Sequence, residues 1–199
     1  MQTYPGYSEP YERALRLAAT THRQQNRKGC DIPYITHPFH VSVILLRHGF
    51  PTDVAIAALL HDIVEDQGYP LSQIEDQFGP CVAEIVAALS ERKTDAQGTR
   101  RPWEMRKREG LEHMRNASLE AAAVKVADTL HNARSTALDV RREGPHIWQR
   151  FNRGPDQTLD YYHHILQIAR QRLHDHPLVD ELADALDDLT RLTDETTHP

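Results

Sequence analysis

Apolar residues recur at three- and four-residue spacing almost throughout the chain, with no sustained strict alternation, so the pattern predicts an all-α fold. A first helix is expected from about Ser8, its N-cap, through Leu15 and Ala18 to near Arg27. Gly29 to Pro33 reads as a loop, and Pro38 fits the first turn of a second helix that starts at Thr36 and ends at Gly49. Pro51, Thr52 and Asp53 announce a third helix, whose unbroken apolar run Val54 to Leu60 predicts a buried central position before the chain turns polar at His61. Gly68 and Pro70 close it. Leu71 to Phe78 and Val82 to Leu89 follow as short helices on either side of Gly79 and Pro80, and Lys93 to Thr99 reads as a flexible loop. Trp103 to Arg115 is helical but heavily charged, whereas Leu119 to Leu138 is a core helix carrying Ala121, Val124, Val126 and Leu130, with Gly144 and Pro145 interrupting beyond it. A last pair, Thr158 to His174 and Leu178 to Leu192, completes a bundle of about eight or nine helices.

Composition narrows the class. The 199 residues are expected to form one domain, 1–199, large enough to bury a substantial core. With 39% hydrophobic and 26% charged residues the chain suits a soluble globular protein, and its apolar runs fall short of the roughly 20 residues of a membrane span. Met1 to Pro10 is polar and proline-containing and does not read as a secretion signal. Cys30 and Cys81 are too few and too far apart for a disulfide framework or a cysteine metal site, so a reducing cytoplasm is the expected location. A net charge of −6 argues against a general nucleic-acid or membrane-surface binder. Of the 13 histidines, His113, His146, His163, His164, His174, His176 and His198 fall in polar stretches without a partner pattern and are expected at the surface.

The chemistry concentrates in His61-Asp62-Ile63-Val64-Glu65-Asp66, four ionisable side chains directly after a buried run. At about 100° per residue, with His61 at zero, Glu65 falls near 40°, Asp62 near 100° and Asp66 near 140°, all on one side of a helix. Such a cluster could be no more than a solvated helix end. Two distant residues change the balance: His37 opens a helix behind Pro33-Tyr34-Ile35, and Asp128 sits in the apolar Val124-Lys125-Val126-Ala127-Asp128. A carboxylate on a buried helix needs a metal or a cation, because its desolvation is otherwise very costly. His37, His61, Asp62 and Asp128 are therefore the candidate metal ligands, a mixed nitrogen and oxygen set suited to manganese, iron or zinc. An ion there would activate water and polarise a phosphate, with Glu65 and Asp66 placed to move protons. Arg23, Arg27 and Lys28 precede His37, and a second basic stretch holds Arg92, Lys93, Arg100, Arg101, Arg106, Lys107 and Arg108. On an acidic chain these are natural anion contacts, although a charge run is as readily a solvated face. Lys125, three residues before Asp128, could reach a phosphate or neutralise the acids.

Taken together, the segments His22 to Lys28, Pro33-Tyr34-Ile35-Thr36-His37-Pro38, Ala57 to Asp66, Phe78-Gly79 and Val124 to Asn132 resemble the HD-domain hydrolases of the Rel/Spo-homologue family, most of all its small alarmone hydrolases. The ordered set covers roughly residues 8 to 170. The resemblance implies metal-dependent hydrolysis of the 3′-pyrophosphate of guanosine tetra- or pentaphosphate, (p)ppGpp, giving pyrophosphate and GDP or GTP, with manganese as usual cofactor. It implies His37, His61, Asp62 and Asp128 as metal ligands and Glu65 and Asp66 as the catalytic acids. It also implies Arg27, Lys28, Asn132 and Tyr161 as nucleotide contacts. Thr129 stands where relatives often carry a basic residue, and the family is also associated with the adenosine analogue and with NADPH. The alternatives are another HD-domain nucleotide phosphohydrolase, whether nucleotidase or NADPH phosphatase, and a non-catalytic nucleotide sensor. No motif of an alarmone synthetase is present, and a homo-oligomer is left open.

Overall fold

A computed structural model describes residues 8–197. Most of the polar N-terminal segment, Met1 to Tyr7, and His198 lie outside the described residues. Among those described, ten α-helices follow one another: α1 (Glu9–Thr21), α2 (Thr36–Arg47), α3 (Thr52–Leu60), α4 (Ile63–Gln67), α5 (Leu71–Phe78), α6 (Pro80–Leu89), α7 (Trp103–Asn116), α8 (Leu119–Glu143), α9 (Pro155–Leu173) and α10 (Pro177–Thr197). A 3₁₀ turn, Pro145–Arg150, joins α8 to α9. No described residue belongs to a strand; pairing is limited to the isolated bridges Asn26–Pro33 and Thr94–Arg100. The all-α expectation holds.

The centre is α3. Every residue from Val54 to Leu60 is buried, as an apolar run without a polar face requires. It is surrounded by α1, α2 and α6 and touches α8, which in turn packs on α2, α9 and α10. The 25-residue α8 starts at Ser118, whose side chain accepts a hydrogen bond from the Ala121 amide, and ends at Gly144. This helix forms the second wall of the site. No helix among the described residues is long and apolar enough to cross a membrane.

Three departures from the sequence reading matter for function. Helix α1 stops at Thr21 rather than near Arg27; the chain then doubles back, with the Arg27 amide donating to the Ile32 carbonyl at 2.8 Å. Arg27 and Lys28 thus sit on a loop. The polar continuation of α3 is not one helix: it breaks at His61–Asp62 and restarts as the short α4, which closes on Gly68 in the left-handed conformation. The break adds a helix to the expected eight or nine. Helix α8 runs five residues past Leu138, to Glu143.

Candidate metal centre and active site

Four elements meet at one point. His37 comes from the first turn of α2, His61 and Asp62 from the break between α3 and α4, and Asp128 from the middle of α8. The first, second and last of these are buried, at 2%, 6% and 8% exposure. One donor atom each from His37, His61 and Asp128 lie within 4.8 Å of one another. Asp62 adds an oxygen, Oδ2, 3.1 Å from His61 Nε2 and 3.8 Å from His37 Nε2. The break replaces the single-helix geometry expected for His61 to Asp66, and it is what lets both side chains of His61 and Asp62 face His37.

Each donor is held from behind. His61 Nδ1 lies 2.7 Å from the Ala58 carbonyl, which can only accept, so Nδ1 carries the hydrogen and Nε2 presents its lone pair inward when the ring is neutral. The Tyr34 hydroxyl donates to Asp62 Oδ2 at 2.6 Å. Asn132 Nδ2 donates to Asp128 Oδ1 at 2.7 Å, and Lys125 Nζ to Asp128 Oδ2 at 2.9 Å. Helical spacing of three and four residues sets Lys125, Asp128 and Asn132 on one face of α8.

The charges are mutually dependent. Burial alone would raise the Asp62 and Asp128 carboxyls, but His61 beside the first, and Lys125 and His37 beside the second, hold both well below the usual carboxylate range. Burial opposes a charged His61, yet Asp62 and then Asp128 outweigh it and lift the imidazole to about 9. In His37 burial wins, and its affinity for a proton is lowered. Two imidazole nitrogens converging with ionised carboxylate oxygens is a donor set that fits a borderline-to-hard divalent cation.

These residues line a cavity of about 290 Å³. Arg27, Lys28, Glu65, Lys107, Lys125, Asn132, Arg153 and Tyr161 line it too, so the site is ringed with cations. Arg27 Nη2 donates to Asn132 Oδ1 at 2.9 Å, and Lys28 Nζ to Asn152 Oδ1 at 3.0 Å. Arg27, Lys28 and Asn132 also border a second cavity of about 1050 Å³ that opens beside the first. The Tyr161 hydroxyl is buried without a hydrogen-bond partner among the described residues, while Lys107 Nζ lies 5.0 Å above its ring.

The two acids after the break part company. Glu65 faces the cavity: its Oε2 accepts from the Glu91 amide at 3.0 Å, and Lys93 Nζ lies 3.2 Å from Oε1. Burial raises its carboxyl above the usual value. Asp66 does not line the cavity and instead accepts from Gln25 Nε2, at 2.8 Å, and from Lys93.

Sequence reasoning left several residues in and around the site unassigned. Lys93 and Lys107 belonged to the second basic stretch, but nothing in its charge pattern told that Lys107 lines the cavity while Lys93 pairs with Glu65 and Asp66. Glu91 gave no signal at all; it is nearly buried and pairs with Arg106 Nη1 at 2.7 Å and Lys107 Nζ at 2.6 Å. Tyr34 and His131 fell inside motif segments without a role of their own.

Residues 14–156 match the family described as the HD domain. The guanosine-3′,5′-bis(diphosphate) 3′-pyrophosphohydrolase MESH1 of Xenopus tropicalis is 41% identical over 138 residues, 68% of this chain and 72% of that one. Its Homo sapiens counterpart is 39% identical over 160 residues, 79% of this chain and 81% of that one. A solved structure described as a metazoan ortholog of SpoT that hydrolyzes ppGpp superposes with a TM-score of 0.70 at 30% identity, over 96% of this chain and 97% of that chain. A crystal structure from Listeria monocytogenes EGD-e superposes with a TM-score of 0.69 at 35% identity, over 78% of this chain and 99% of that chain.

Proposed function

The chain belongs to the HD-domain hydrolases of the Rel/Spo-homologue type, and from that premise we propose that it removes the 3′-pyrophosphate of an alarmone nucleotide, (p)ppGpp or its adenosine analogue. The products are pyrophosphate and the corresponding nucleoside 5′-di- or triphosphate. The observation that carries this reading is the convergence of the buried His37, His61 and Asp128 with the half-buried Asp62 in a cavity ringed by cations. Those four are the proposed ligands of a divalent ion, and manganese suits their mixed nitrogen and oxygen donors. Such an ion supplies a water of lowered pKa and polarises a phosphate oxygen.

The chain's own groups account for the rest. Hydrogen bonds from Tyr34, Lys125 and Asn132 aim the carboxylates of Asp62 and Asp128. Glu65, poised above its ordinary proton affinity at the cavity wall, is the proposed proton carrier between attacking water and leaving group. Asp66 keeps Lys93 beside Glu65 and assists from behind. Arg27, Lys28, Lys107 and Arg153 offer the positive charge a polyphosphate needs, with Lys125 balancing Asp128. Asn132 and Tyr161 complete the nucleotide contacts. Both cysteines are free, which fits the reducing cytoplasm where we place the reaction.

The test is a substrate panel. Manganese-loaded protein is incubated separately with guanosine and adenosine 3′-pyrophosphates and with NADPH, and the products are separated by anion exchange. Pyrophosphate release from either alarmone supports the reading. Orthophosphate from NADPH alone makes the chain a phosphatase instead, and binding without turnover makes it a sensor.

A further inference from the structure

One hydrogen bond behind the metal centre has two readings, and only one is compatible with a bound ion. His37 turns its Nε2 toward Asp128 Oδ1, 3.2 Å away, and its Nδ1 toward His131 Nδ1, 2.8 Å away. A neutral imidazole carries one hydrogen, so one of the two Nδ1 atoms donates and the other accepts. If His131 donated, His37 would accept at Nδ1, hold its hydrogen on Nε2 and have no lone pair for a cation. His61 faces no such choice, because its partner is the Ala58 carbonyl.

We propose that His131 is a positioning residue that selects the tautomer of His37: it accepts a hydrogen bond from His37 Nδ1 and so frees Nε2 to bind the metal. The inference rests on the metal reading above. Metal-bound imidazoles ordinarily donate their second N–H to a carboxylate, a carbonyl or water. Here that place is taken by another imidazole, which must keep its own hydrogen on Nε2. Geometry favours the pairing: His131 follows Asp128 by about one turn of α8, its ring centroid is 4.9 Å from that of His37, and the His40 ring stacks on it at 5.1 Å. Both carboxylates within reach of His37 lie on its Nε2 edge.

The test compares His131→Asn with His131→Leu. Asparagine keeps an acceptor oxygen near the place of Nδ1; leucine fills the space without one. Manganese affinity is measured by calorimetry on chelator-stripped protein, and the ring tautomers by ¹⁵N-detected NMR of the zinc-loaded wild type. The expected result is a dissociation constant weakened about tenfold or more in His131→Leu and left near the wild-type value in His131→Asn. The NMR should show the hydrogen on Nδ1 of His37 and on Nε2 of His131. Equal affinity in wild type and His131→Leu, equal loss in both variants, or a hydrogen on Nδ1 of His131 would overturn the inference. A wild-type protein that binds no ion would overturn the metal reading itself, and this inference with it.

Discussion

At Glu65, burial sets the stability of the fold against the proton-carrying role proposed for this side chain. Its carboxyl sits above the ordinary 4.5 because burial penalises the ionised form; the hydrogen bond from the Glu91 amide and the charge of Lys93 oppose the effect, and the Glu91 and Asp62 carboxylates add to it. A carboxyl whose folded value is raised stabilises the fold fully below the unfolded value and loses that contribution as pH climbs through the folded one. At pH 7 the ionised Glu65 therefore works against folding. Glu65→Gln should melt higher than wild type at pH 7, with the gap closing toward pH 4.5, while kcat falls by about 10²- to 10⁴-fold. Calorimetric melts at the two pH values, set beside steady-state rates, check both halves. Lys107 is proposed for binding instead. It faces the cavity from α7, and Lys107→Ala should raise KM about tenfold while changing kcat less, as loss of a charge-assisted contact does. At this scale Asp128 stood out in the sequence as a carboxylate inside an apolar run, and the structure brings it together with His37 and His61. Lys107 was not separable from Arg108 beside it, because one residue of rotation on a polar helix changes which side chain turns inward. The split roles of Glu65 and Asp66 were likewise invisible, being set by contacts with Glu91 and Gln25 from distant segments.

Among the elements, α2, the α3–α4 break and α8 bring the proposed ligands together, and the contributions of α3 and α8 separate experimentally. Ser118 caps α8 well away from Asp128, so Ser118→Ala should cost about 1 kcal/mol and lower the melting temperature by roughly 2–4 °C with kcat unchanged. Leu60, fully buried just before the break, is different. Leu60→Ala should cost about 2–5 kcal/mol and also loosen the turn that aims His61. Paired thermal melts and rate measurements distinguish the two outcomes. The helices themselves were legible because their apolar stripes are long and their ends carry Gly, Pro or Ser. The break at His61–Asp62 was not, since a polar helix end and a helix interruption share the same composition. The early end of α1 was hidden for a related reason: the turn from His22 to Lys28 is held by pairing with Ile32 and Tyr34, not by a local breaker.

For the whole molecule, the buried acids and imidazoles tie stability to the cation they are proposed to hold. An ion that binds only the folded chain adds about 2.7 kcal/mol when present at 100 times its dissociation constant. Chelator-stripped protein should therefore melt measurably lower than manganese-loaded protein, and the midpoint should rise with ion concentration. The overall architecture followed from patterning, whereas the residues that meet from α2, the α3–α4 break and α8 were signalled by charges out of keeping with their surroundings and by the family resemblance. The most direct measurement of the central claim is turnover of guanosine tetraphosphate by stripped protein before and after manganese is restored, with products resolved by chromatography. GDP and pyrophosphate in equal amounts, formed only once the ion is returned, is the predicted result. Equal turnover without it, or release of orthophosphate in place of pyrophosphate, would contradict the account.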